Sequence, residues 1–138
     1  MLTKICSKCG SFYPANGSCQ CRTQRHKQYD MFQRNKDSQA VYHSKQWPIL
    51  TQMCKARCNG IDMYKLMTTG RVVLARNGLC HHIIEVTEDL RLAYDIDNLF
   101  YVGSDSHAEI HKIYNRSEKE KRELQDRMKK FILSWVRG

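Results

Sequence analysis

Four of the six histidines fall between Cys80 and Tyr114, as an adjacent pair, His81 and His82, and as a pair four residues apart, His107 and His111. "LCHHIIEV" is β-rich and uncharged until Glu85, so the first pair sits on a strand, where neighbouring side chains point to opposite faces. "SDSHAEIHKIY" reads as a helix, which puts His107 and His111 on one side of it. A strand and a helix so equipped can gather three imidazoles around one divalent ion. Of the adjacent pair only one then fits the ion comfortably, and the other is free to act as a base beside it. A metal to stabilise charge and a neutral imidazole to deprotonate water are what phosphodiester hydrolysis requires.

A second set of ligands lies at the N-terminus. Cys6, Cys9, Cys19 and Cys21 are spaced C-x2-C-x9-C-x-C, with Gly10, Pro14 and Gly17 permitting tight turns between them. Four thiolates in so short a span suit a structural, tetrahedral zinc. Seven cysteines, an odd number with no secretory segment, favour metal binding in a reducing compartment over a disulfide framework. Cys54 and Cys58 have no partner pair and read as buried thiols, as does Cys80.

The elements that must carry these ligands follow from periodicity. Ser44 caps a helix with Pro48 in its first turn and Gly60 past its end, burying Trp47, Leu50, Cys54 and Cys58. The stretch from Asp62 to the Gly70 turn reads as a short helix in preference to a hairpin arm, and Arg71–Ala75 reads as a strand. "TEDLRLAYDIDN" is a loop, "LFYV" a second strand, and Ser106-x-x-Glu109 a capping box opening the histidine helix. From Ser117 onward Leu124, Met128, Phe131, Ile132, Trp135 and Val136 form one stripe of an amphipathic helix. That helix packs on its own domain or is presented to a second copy or another protein.

Charge is distributed unevenly. The formal net charge is +9, and residues 1–60 carry ten Lys/Arg against two Asp/Glu, whereas residues 61–138 carry thirteen against twelve. The basic segment contains Arg22, Arg25, Lys27 and Arg34, interleaved at helical spacing with His26, Tyr29 and Phe32. A polyanion such as a nucleic acid is the expected partner, with solubility alone as the other reading of the charge. No apolar run approaches the length of a bilayer span or a signal peptide, so the expectation is a soluble cytoplasmic protein with no membrane partner.

The stretch from Leu79 to Tyr114 resembles the HNH endonucleases, whose ββα-metal motif runs from a histidine pair through Asn-Leu to a His-x3-His helix. "HHI", "DNL" and "SHAEIH" stand in that order here, and the interval from Asn98 to His107 is similar to that in the nuclease domains of DNase colicins. The resemblance implies an α+β fold with a ββα-metal core, an N-terminal zinc knuckle and flanking helices. It implies metal ligation by His81, His107 and His111, a general base at His82, and an Asn98 that braces the loop between the strands.

By the same resemblance the metal is Mg2+ or Mn2+, while softness of the ligands admits Ni2+, Co2+ or Zn2+. Upstream, "YHSKQW" after a cysteine knuckle is similar to the layout of small phage and prophage members. This suggests genome packaging beside a terminase, with restriction and mobile-element transfer as the other settings, in the cytoplasm of a bacterial host, and with the C-terminal helix as the contact for a terminase partner or for a homodimer. "YVGSDSH" has no cysteine before His107, which departs from members with paired cysteines around the motif. The expected organisation is a knuckle at 1–22, a basic helical linker region at 23–60, the nuclease core at 61–116 and the C-terminal helix at 117–138. A rival reading makes every histidine and cysteine a structural zinc ligand of a nucleic-acid-binding regulator, but leaves His82 without a role.

Overall fold

The computed structural model describes residues 2–21 and 36–138, which fall in two units, Met1–Gln39 and Ala40–Gly138. Arg22, Arg25, Lys27 and Arg34, and the aromatic residues between them, lie outside the described residues. In the first unit β1 (Thr3–Ile5) pairs antiparallel with β2 (Phe12–Pro14), Ile5 opposite Phe12. The turn is closed by Cys6 N–H to Ser11 O and Gly10 N–H to Cys6 O. Among the described residues of this unit only Cys6 is buried. Apolar burial therefore cannot hold the hairpin together.

The second unit is built on a two-stranded antiparallel ribbon, β3 (Leu79–His82) against β4 (Leu99–Val102), with His81 opposite Phe100 and His82 opposite Leu99. All four residues of β4 are buried. Helices cover both faces of that ribbon, which is why "LFYV" is apolar throughout instead of alternating. Helices α1 (Gln46–Arg57) and α2 (Met63–Thr69) pack against β4, and α3 (Ser104–Tyr114) follows it and packs on α4 (Glu118–Arg137). The shared core contains Cys54, Cys58, Met63, Ile83, Phe100, Ile110, Met128 and Ile132.

Helix ends follow local chemistry. Asp62 caps α2 by accepting from Lys65 N–H, and Gly70 closes it at φ 74°, a left-handed conformation that glycine adopts without a Cβ penalty. Ser117 caps α4 by accepting from Glu120 N–H. Leu124, Met128 and Ile132 of its stripe are buried in the core, and the Trp135 indole N–H reaches Arg57 O at the end of α1. Cys80 is buried as well, beside α1. Gly78 precedes β3, where a Cβ would collide with the Tyr101 ring and its hydroxyl.

Three local expectations change. Residues 71–75 form no strand: Leu74 makes an isolated bridge with Ile61, and Val72 and Leu74 are about 70% exposed. Their backbone is spent instead on the α1–α2 connection, through Asp62 N–H to Val73 O and Ala75 N–H to Gly60 O. The histidine helix starts three residues early, with Gly103 as cap in place of Ser106 and Ser104 as its first residue, and the Ser106 hydroxyl is turned inward to the Asp62 carboxylate at 2.7 Å. The long loop between the strands contains two 3-10 turns, Leu90–Leu92 and Ile96–Asn98, capped by the side chains of Asp89 and Asp95.

Candidate metal centre and catalytic histidine

β3 delivers His81 and His82 side by side, and α3 delivers His107 and His111 one turn apart. Ligand nitrogens of His81, His107 and His111 all lie within 4.8 Å of one another. The His107 and His111 Nε2 atoms approach to 2.9 Å. Three imidazoles converging this closely fit one divalent ion, with bonds of about 2.1 Å and room for oxygen ligands opposite them. His81 is 2% exposed, and its pKa lies well below the ordinary histidine value. Burial is the main cause, followed by the neighbouring His107, His111 and His82. His107 is lowered too, by burial and then by His111. Depressed values keep the lone pairs available to a cation.

Sequence reasoning passed over Tyr114. Its hydroxyl donates to Ile83 O at 2.7 Å and stands 3.1 Å from His81 Nε2, where it is left to accept. A ring that gives its hydrogen to Tyr114 keeps Nδ1 free as a ligand. The signal was available, since Tyr114 follows His107 by seven residues and His111 by three and so shares their face.

His82, 4% exposed, is engaged differently: its Nε2 bonds to Ala93 O at 3.0 Å, which holds the hydrogen on Nε2 and leaves the lone pair on Nδ1. Burial lowers its pKa as well, against the opposing pull of the Ala93 carbonyl. Asn98 fastens the loop that carries Ala93. Its amide donates to Ile84 O at 2.9 Å and Leu92 O at 3.2 Å, and its oxygen accepts from Ile84 N–H at 2.8 Å. α4 pins the same loop, through Gln125 Nε2 to Ile83 O and Glu88, and through Lys121 to Glu85 and Glu88.

Depressed histidines set a pH dependence. The unfolded chain takes up protons near 6.5 while His81, His82 and His107 in the fold do not, so stability is fully present above that pH. Calorimetry of metal-free protein should show the melting temperature falling from pH 7 to pH 5; a flat profile would mean that these imidazoles are not neutral in the fold.

In the first unit Cys6, Cys9, Cys19 and Cys21 converge as a second candidate metal group. Cys6 and Cys21, and Cys9 and Cys19, are each 3.5 Å apart at sulfur. Zinc–sulfur bonds of about 2.3 Å require sulfurs roughly 3.8 Å apart, so the group fits tetrahedral zinc. Hydrogen bonds from Ser11 and Cys19 lower the Cys9 thiol to about 6, and hydrogen bonds with Cys6 and Cys19 raise Cys21 to about 12. The cluster thus holds on to a proton that a dication would displace. Stripping metal with a chelator should collapse the amide NMR dispersion of residues 2–21 and leave that of 40–138 in place. Retained dispersion would show that the hairpin folds without metal.

A two-stranded ribbon followed by a histidine-bearing helix, with a fourth histidine beside the cluster, is the fold of an HNH endonuclease. Among solved structures the chain is similar to the HNH endonuclease of the deep-sea thermophilic bacteriophage GVE2, crystallised with a manganese ion. Identity is 26% with a TM-score of 0.58, over 65% of this chain and 95% of that one. No protein-family model matches the chain, and no curated protein matches it in sequence.

Proposed function

We propose that the protein is a metal-dependent DNA endonuclease in which His81, His107 and His111 hold one divalent ion and His82 is the general base. The reading rests on one observation: three imidazoles converge within 4.8 Å while the histidine next to them on β3 is bonded through Nε2 to a backbone carbonyl and keeps its other nitrogen free. Manganese in the similar phage enzyme supports it, with magnesium, nickel and zinc as the other candidates. When bound, the ion supplies Lewis-acid stabilisation of the scissile phosphate and of the departing 3′ oxygen.

The protein's own groups do the rest. His82 Nδ1 takes a proton from water, the resulting hydroxide attacks phosphorus, and Asn98 keeps the loop carrying Ala93 from drifting. Products carry a 5′ phosphate and a 3′ hydroxyl. The basic N-terminal segment, with Arg22, Arg25, Lys27 and Arg34, grips phosphates and sets affinity without reading sequence. A knuckle at 1–22, a basic region at 23–60 whose helix α1 packs on the ribbon, a nuclease core at 61–116 and a C-terminal helix at 117–138 are the working parts we assign.

Among the described residues no helix is long and apolar enough to cross a membrane. The phage origin of the similar enzyme supports a role in phage DNA processing in the host cytoplasm, with packaging beside a terminase as the setting. Nicking of supercoiled plasmid by purified protein, with EDTA or with magnesium, manganese, nickel or zinc added back, tests the activity. Metal-dependent nicking is expected. DNA binding with no cleavage under any of these ions would replace this reading with a zinc-stabilised nucleic-acid-binding module.

A further inference from the structure

We propose that Trp47 is a positioning residue for His82, acting with Tyr42 and a small apolar cluster as a clamp on the imidazole; this rests on the reading of His82 as the general base. The Trp47 indole lies almost parallel to the His82 ring, with centroids 4.9 Å apart and planes 17° from each other. Tyr42 closes the edge of the pair, 5.2 Å from Trp47 and 6.0 Å from His82. A histidine χ2 torsion is broad and roughly two-fold, so a hydrogen bond at one nitrogen leaves the ring free to rock about it. A flat partner over its face removes that freedom, and proton abstraction needs the free nitrogen held within hydrogen-bond reach of water.

The clamp also holds the carbonyl on which His82 leans. Ala93, 1% exposed, belongs to a cluster with Val41 and Val86, and Trp47 packs on it. Trp47 packs on the main core as well, so the ring, its carbonyl partner and the body of the domain are braced through one side chain. The segment that makes this possible is "VYHSKQW". Its Ser44 hydroxyl donates to Val41 O at 2.7 Å and accepts from Trp47 N–H at 3.3 Å, folding residues 41, 42 and 47 to one side. No residue of this segment belongs to the His81, His107 and His111 group, and besides the main core its contacts reach the base and the cluster that holds the base's partner.

The test compares Trp47→Phe, which keeps a flat face, with Trp47→Leu, which keeps apolar bulk without one. Imidazole nitrogen–proton correlation spectra of metal-free protein should show His82 as a single Nε2–H tautomer in the wild type and in Trp47→Phe, and as a tautomer mixture in Trp47→Leu. In plasmid nicking with manganese the Leu variant should lose about 10- to 100-fold in kcat, with KM and calorimetric manganese affinity unchanged and with recovery in the Phe variant. A single tautomer together with wild-type kcat in Trp47→Leu overturns the clamp.

Should Trp47→Leu fail to fold, Tyr42→Leu, on the half-exposed side of the cluster, carries the same spectrum: a mixture supports the clamp and an unchanged tautomer overturns it. If the wild type cleaves nothing with any ion, the assignment of His82 as base falls on that result alone. The spectra still decide whether Trp47 orients the ring.

Discussion

His82→Ala should lower single-turnover nicking of supercoiled plasmid by about 10²- to 10⁴-fold, the usual contribution of a general base. Manganese affinity should survive, because His81, His107 and His111 remain. DNA affinity should survive too, because the phosphate contacts proposed above involve other residues. The fold should persist: His82 contributes a hydrogen bond to Ala93 O, a stack on Trp47 and an edge contact with Tyr42, while the core of β4, α3 and α4 is untouched. Turnover near that of the wild type would remove the assignment. Loss of manganese binding together with activity would move His82 into the ligand set, which its bond to Ala93 argues against.

A second large effect is expected at a residue that ligates nothing. Asp62, 1% exposed, accepts at Oδ1 from Lys65 N–H at 3.0 Å, and at Oδ2 from Gly103 N–H at 3.0 Å and the Ser106 hydroxyl at 2.7 Å. One buried carboxylate thus caps α2 and ties down the first turn of α3, immediately before His107. Its negative charge also lies at the positive ends of both helices. Asp62→Ala deletes a cap and strands two buried donors, for a loss of about 3 kcal/mol, or roughly 15 °C in melting temperature for a unit of this size. Manganese affinity should fall with it, since α3 then lacks its anchor to α2. Asp62→Asn, which keeps one acceptor oxygen, should fall between. A melting temperature and manganese affinity unchanged in Asp62→Ala would show that α3 is held by its apolar contacts with α4 alone.

Much of this architecture could be read from residue order because the signals are local. A tetrathiolate spacing, a histidine pair on a β-rich run and a His-x3-His helix depend on bond geometry over a few residues. The two helix faces, Leu124, Met128 and Ile132 in one case and His107 and His111 in the other, follow from the 3.6-residue period alone. The resemblance of "HHI", "DNL" and "SHAEIH" to HNH endonucleases and the similarity to a phage HNH structure agree for the same reason: the ββα unit is short, and its parts are close in sequence.

What local pattern could not decide was set by partners far along the chain. Residues 71–75 have strand composition but no strand beside them, so their hydrogen bonds went to Gly60 and Asp62. Ser106 has capping-box spacing, yet its hydroxyl found a carboxylate 44 residues away. Trp47 and His82 are 35 positions apart, and neither periodicity nor composition pairs them. The sequence by itself determined which atoms could bind metal and take a proton. Only the tertiary structure decided which groups hold those atoms still, because a buried polar group takes whichever donor or acceptor the packing brings to it, irrespective of distance along the chain.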